Sequence, residues 1–161
     1  MDSGSILIGA ILIILCVVPF VIMHYNSKKK QNKKKQLLNT IAIQQNCKIT
    51  QHELCANFII GLDENKKCVF FFKQEKENEI SQFINLIEIK TCYAEKTTRT
   101  VKNKEQSYVI TERINLCFIP INNSLKETKL ELYNDEKNNH LRGELQLDDK
   151  WVKKINDLIK K

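Results

Sequence analysis

The sequence predicts an N-terminal transmembrane helix followed by an α+β domain, a curved antiparallel sheet or open barrel with a C-terminal amphipathic helix. Three observations carry this reading. Residues 6–23 hold no charged side chain, and two lysine triplets follow almost at once. From about Lys48 to Leu147 apolar residues recur with the period of strands, separated by polar turns. From Trp151 onward the period becomes helical.

The first element is the apolar segment, residues 6–25. As a helix at about 1.5 Å per residue it is about 30 Å long, enough to cross a hydrocarbon core. It is mostly Ile, Leu and Val, and Gly9 and Pro19 are tolerated because a helix in lipid satisfies its own backbone. His24 and Tyr25 fall where headgroups begin. A cleaved signal peptide requires a positive n-region and a small-residue cleavage site. Here Asp2 is the only charge before the span, and His24-Tyr25-Asn26 follows it. Leu15 before Cys16 does not fit a lipoprotein site. An uncleaved anchor is therefore the expectation, in residues 1–25.

Lysines beside a span stay on the cytoplasmic side. Lys28, Lys29, Lys30, Lys33, Lys34 and Lys35 lie on the C-terminal flank, and no lysine lies on the other. The expected orientation is N-terminus outside, C-terminal domain in the cytoplasm at the inner membrane. These six lysines are the expected contact with the membrane surface, where anionic lipid attracts each by roughly 1 kcal/mol. The cysteines agree. Cys16 lies in the span, and Cys47, Cys55, Cys68, Cys92 and Cys117 cannot all pair within one chain, which suits a reducing compartment.

The chain carries 26 Lys+Arg against 19 Asp+Glu, a net +7. Setting aside Asp2 and the six juxtamembrane lysines leaves 20 positives and 18 negatives. The basic balance belongs to one segment beside a bilayer, which weakens a nucleic-acid reading.

Residues 26–46 read as a basic juxtamembrane segment and a short helix, with Leu37, Leu38, Ile41 and Ala42 on one face. Residues 47–161 form the expected folded domain. Phe58-Ile59-Ile60-Gly61-Leu62 and Cys68-Val69-Phe70-Phe71-Phe72, around a polar turn at 63–67, predict a hairpin. Three consecutive phenylalanines in a strand put at least one on the far face, where a helix or a partner must cover it. Residues 74–79 read as a turn, and Ile87, Ile89, Thr91 and Tyr93 as one face of a strand. Residues 95–107 read as a long hairpin tip. Ile114, Leu116 and Phe118, then Leu130 and Leu132, then Leu141, Leu145 and Leu147 alternate with polar residues. Clean alternation implies antiparallel sheet with one wet face. Trp151, Val152, Ile155, Leu158 and Ile159 recur at helical spacing behind Asp148 as N-cap, and Trp151 is the expected plug for the open end of the sheet.

A bent antiparallel sheet closed by a C-terminal helix resembles the pleckstrin-homology-like fold, and Ile84-Asn85-Leu86-Ile87-Glu88-Ile89 is similar to a segment common in its bacterial members. Ile60-Gly61-Leu62-Asp63, Leu130-Glu131-Leu132-Tyr133 and Gly143-Glu144-Leu145-Gln146-Leu147 ahead of Lys150-Trp151 look like small membrane-anchored proteins of the Bacteroidota. Lipid-binding members carry a basic cluster at the first hairpin. Here Lys66 and Lys67 stand beside Asp63 and Glu64, so the resemblance does not imply phosphoinositide binding.

Signatures of chemistry are sparse. Cys47, His52, Cys55 and Cys68 are the metal candidates, but the paired Cys-x-x-Cys knuckle is missing. There is no nucleophile elbow, and with four glycines no glycine-rich phosphate loop. Of the three histidines, His24 is at the span and His140 in a polar turn. Glu75, Glu77 and Glu79 read as a solvated loop. The expectation is a non-enzymatic module with no cofactor, metal, nucleic acid or small-molecule substrate. Its partners are the lipid bilayer and a protein or a second copy of itself, with anionic-lipid sensing as the alternative and metal or redox response the lesser one.

Overall fold

The computed structural model describes residues 3–55, 57–75, 78–102, 107–137 and 144–160, and side chains at all of these except 3–12, 14, 26–27 and 144–145. The chain divides into two compact units, Met1–Gln36 and Leu37–Lys161. One helix, α1 (Ser3–Gln44), carries the described part of the first and begins the second. Lys28, Lys29, Lys30, Lys33, Lys34 and Lys35 are thus helical.

Among the described residues no helix is long and apolar enough to cross a membrane. The expected span, residues 6–25, is described in its side chains only at Ile13 and from Leu15 to Tyr25. Eleven consecutive residues at about 1.5 Å each make about 17 Å, short of a bilayer core. The first half of the expected span lies outside the described side chains.

In the second unit, α1 ends in a left-handed cap. Asn46 has φ 55°, Asn46 N–H donates to the Ile43 carbonyl (2.9 Å), and Cys47 N–H donates to the Ala42 carbonyl (2.8 Å). Asparagine tolerates this conformation, and the two bonds satisfy carbonyls that a helix end leaves open. Four strands follow: β1 (Gln51–Leu54), β2 (Phe58–Asp63), β3 (Cys68–Glu75) and β4 (Asn78–Asn85). They form an antiparallel sheet in sequence order. A 3-10 turn at Leu86–Glu88 then interrupts pairing. Strands β5 (Ile89–Lys102), β6 (Ser107–Pro120) and β7 (Thr128–Asn134) make a second antiparallel sheet, and α2 (Glu144–Lys160) closes the chain.

The expected α+β architecture with a C-terminal helix is present, but as two sheets and not as one curved sheet or a barrel. The turn at Leu86–Glu88 separates the two ladders, and α2 packs on β5, β6 and β7. The main core lies between the sheets and α2. It gathers Phe58, Ile60, Phe71, Leu116, Phe118 and Leu130 around Trp151 and Ile155. Trp151 is 1% exposed and lies in this core between sheets and helix, where no open barrel end exists for it to plug.

A second core covers the other face of the four-stranded sheet. Leu38 and Ala42 of α1 bury Ile59, Phe70 and Phe72, with Cys47 and Cys68 at the edge. The three phenylalanines therefore divide between two cores: Phe71 enters the first, Phe70 and Phe72 the second. Gly61 permits the helix to approach. A Cβ built there would stand 2.7 Å from Leu38 Cδ2 and 3.1 Å from Ile49 Cδ1.

Several sequence expectations change. Ile89 and Cys92 face the core, while Ile87 and Tyr93 do not. A bulge between Ile89 and Thr91 moves every later residue of β5 to the opposite face. Residues 74–79 hold the end of β3 and the start of β4, so Glu75 and Glu79 lie in strands; Glu77 lies outside the described residues. Much of the expected loop at 95–107 is strand, because β5 and β6 continue as a two-stranded ribbon past the end of β7. Leu145 and Leu147 fall in α2, and Asp148 is inside that helix and not its cap. Leu141, Arg142 and His140 lie outside the described residues.

Candidate functional site

Six lysines between positions 28 and 35 concentrate positive charge in one short segment. Lys28, Lys29, Lys30, Lys33 and Lys35 are exposed along α1; Lys34 is only 8% exposed. Before them, residues 15–25 leave their large apolar side chains bare, among them Leu15, Phe20, Met23 and Tyr25, each about 70% exposed.

The candidate metal ligands do not converge. Cys47 and Cys68 come together in the core beneath α1, where their thiols donate to the carbonyls of Gln45 (3.4 Å) and Lys66 (3.2 Å). Cys55 packs against the other core, and His52 is exposed on β1. Among the described residues no three His, Cys, Asp or Glu side chains could hold one ion. Burial, and then the neighbouring Cys47, push the Cys68 thiol up to about 12. Burial likewise pushes Cys92 and Cys117 up to about 12. Such thiols hold their protons at neutral pH and are poor nucleophiles.

An ion network that the sequence did not announce lies where the two sheets meet. Lys73 of β3 is 1% exposed, and its Nζ lies 2.7 Å from Glu131 Oε1 of β7 and 2.9 Å from Glu75 Oε1. Lys137 bridges the same two carboxylates at 3.1 and 3.2 Å, and Asn134 Nδ2 donates to Glu131 Oε2 (3.0 Å). Burial alone would raise the Glu131 carboxyl. Hydrogen bonds from Lys73 and Asn134 prevail and hold it down at about 2. The alternating pattern places Lys73 on the same face as Phe71, which reads as a core position; Glu75 of its own strand and Glu131 of the neighbouring sheet supply the counter-charge.

The outer face of the three-stranded sheet carries a second polar cluster. Tyr93 donates to Glu127 (2.6 Å), Lys129 pairs with Glu95 (2.9 Å), and Asn115 donates to Glu95 (3.0 Å). The bond to Glu127 raises the Tyr93 hydroxyl above its ordinary value, so it holds its proton. At the base of the ribbon, Lys96 reaches the fully buried Asp148 at 3.0 Å, which raises the lysine. In both places charges are matched, which supports a structural role and leaves no group poised for proton transfer.

Two surface grooves carry mixed charge. One, of about 350 Å³, is lined by Lys150, Lys153, Lys154 and Asp157 of α2 with Glu64 opposite. The other, of about 310 Å³, lies at the ribbon base between Arg99, Glu112, Arg113 and Glu136. Apolar side chains stand bare in two further places. Phe83, Ile87, Ile121 and Leu125 are 40% to 65% exposed around the turn that joins the sheets, and Val101, Tyr108 and Val109 are 37% to 70% exposed on the ribbon.

Fold and surface together define an α+β domain of two antiparallel sheets with a closing helix, entered through a long helix with bare apolar and basic stretches. Comparison of the chain with protein-family models, with curated proteins and with solved structures finds no match.

Proposed function

We propose that this protein is a single-pass membrane protein that presents a small non-catalytic cytoplasmic domain for protein interaction or self-association. The observation that carries the reading is the charge and apolar pattern of α1. A helix whose large apolar residues stand bare from Leu15 to Tyr25 needs an apolar surrounding, and five exposed lysines immediately beyond supply the flank that stays on the inner side. The matched ion pairs and the protonated thiols of Cys68, Cys92 and Cys117 favour a binding role over a reaction. Four antiparallel strands, then three, then a helix is the element order of the pleckstrin-homology-like fold, and supports assigning the domain to that class.

Three experiments test this. Alkaline carbonate extraction of membranes should leave the chain in the pellet, and a tag at its C-terminus should resist protease added to intact cells. Release by carbonate, or digestion of the tag from outside, overturns the anchor or its orientation. Crosslinking in those membranes should trap a defined partner or a dimer; a chain that crosslinks to nothing overturns the interaction role. A second reading, sensing of anionic lipid, is favoured by Lys28, Lys29, Lys30, Lys33 and Lys35 alone. It predicts that binding of partner changes with the anionic fraction of the bilayer.

A further inference from the structure

Five cysteines lie in the folded unit, and one pair of them shares a core. Cys47 follows the end of α1 and Cys68 opens β3; both belong to the core between α1 and the four-stranded sheet, at 7% and 6% exposure. Hydrogen bonds on either side hold the two segments together. The Asn46 carbonyl accepts from Lys66 Nζ, and Lys48 N–H donates to Asp63 Oδ2 (2.7 Å), Asp63 being the cross-strand partner of Cys68. The two cysteines are also presented alike. Each follows a residue in the left-handed region, Asn46 at φ 55° and Lys67 at φ 52°, and each thiol donates to the carbonyl two residues before it, Gln45 or Lys66. Non-glycine residues at such φ are uncommon and persist where their surroundings hold them.

The other three cysteines have no such arrangement. Cys92 enters the main core, whereas Cys117, which pairs with Tyr93 one residue further along β5, carries its thiol toward Glu95 on the outer face at 3.9 Å. Cys55 packs against the main core, not the one that holds Cys47 and Cys68.

We infer that Cys47 and Cys68 form a reversible disulfide, a clasp that fixes the end of α1 to the first residue of β3 when the domain is exposed to a peroxide. One thiol takes an oxygen atom from hydrogen peroxide, giving a sulfenic acid and one water; the other sulfur displaces that oxygen as a second water, and the S–S bond forms. The two thiols together lose two hydrogens and two electrons, and the peroxide is reduced to water. A dithiol reductant takes the bond back to two thiols by exchange. Burial, and then Cys47 itself, keep the Cys68 thiol protonated, so closure is slow at neutral pH and answers sustained oxidation. The closed loop runs through β1 and β2, which restricts the unfolded chain and holds α1 over Ile59, Phe70 and Phe72.

The test uses the full chain in detergent micelles, incubated with hydrogen peroxide, alkylated and digested. A peptide joining Cys47 to Cys68 should appear. The melting temperature should rise by about 10 °C, and amides of residues 38–44 should exchange about tenfold more slowly. Dithiothreitol should reverse all three changes. Cys47→Ala and Cys68→Ala should each abolish them, and Cys92→Ala should keep them; the peptide map of the native chain decides if either of the first two fails to fold. A chain that stays folded in peroxide yet gives no such peptide overturns the inference. So does sulfinic acid at either position without linkage, linkage that forms only in urea, or linkage of either cysteine to Cys55 or to Cys16. None of these outcomes depends on the membrane anchor.

Discussion

The two sheets are of one kind, antiparallel and sequentially connected, yet they are buried differently. In the four-stranded sheet every residue of β2 is buried, as is β3 from Cys68 to Lys73, because the second core lies between the sheet and the last turns of α1. In the three-stranded sheet Leu116 and Phe118 face the core while Asn115, Tyr93 and Lys129 make a polar outer face. Their sequences differ accordingly. Two covered faces allow continuous apolar runs, and one covered face enforces alternation. The difference teaches that the α1 turns at Leu38 and Ala42 are part of the folded domain's core, and that a boundary placed after residue 46 would strip a face from it.

The largest effect should come from the phenylalanine pair. Phe71→Ala opens the main core and should cost about 3–5 kcal/mol in urea unfolding; Phe70→Ala should cost nearly as much. If Phe70→Ala costs under about 1 kcal/mol, the helix does not cover the second face and the comparison breaks.

Next is the ion network between the sheets. Lys73→Met removes a buried cation but leaves Lys137 with the two carboxylates, which remain partly exposed, and should cost about 1–3 kcal/mol. The pH dependence sharpens this. Glu131 has its folded value lowered from 4.5 to about 2, so its stabilisation is present above about 4.5 and is lost as pH falls toward 2. Lys73→Met lets the folded value rise, so acid unfolding curves of the variant should lose less stability across that window. An unchanged loss would mean that Lys73 does not set the Glu131 carboxyl.

A smaller effect tests the helix contact alone. Gly61→Ala should cost about 1–2 kcal/mol, because Leu38 must shift. In a Leu38→Ala background the same change should cost almost nothing. A full penalty in both would place the strain elsewhere. The smallest effect belongs to the bare ribbon. Val109→Ser should change thermal stability by less than about 0.5 kcal/mol, since the side chain packs on nothing that unfolding exposes further.

Much of this domain is legible in its residues. The hairpin of β2 and β3 follows from two apolar runs around Asp63, whose carboxylate accepts from the Asn65 and Lys66 amides (3.0 Å each) and closes the turn. Ile114, Leu116 and Phe118 face inward as their spacing predicts, and so do Trp151 and Ile155. The errors fall where one residue of register or one distant neighbour decides. The bulge after Ile89 turns Tyr93 outward, which no local propensity signals. Polar residues 97–102 look like loop, but cross-strand pairing with Ser107 to Arg113 makes them strand. Lys73 looks misplaced in its strand until Glu131, 58 residues away, is brought to it.

What the chain settles by itself is local and periodic: which stretches are apolar, where charge is concentrated, which spacing is strand and which is helix. Folding in three dimensions decided that the strands divide into two sheets, that α1 completes the second core, and that the ribbon stands beyond both. The reason is that periodicity records which face of an element avoids water, whereas the identity of what covers that face depends on residues far apart in the chain.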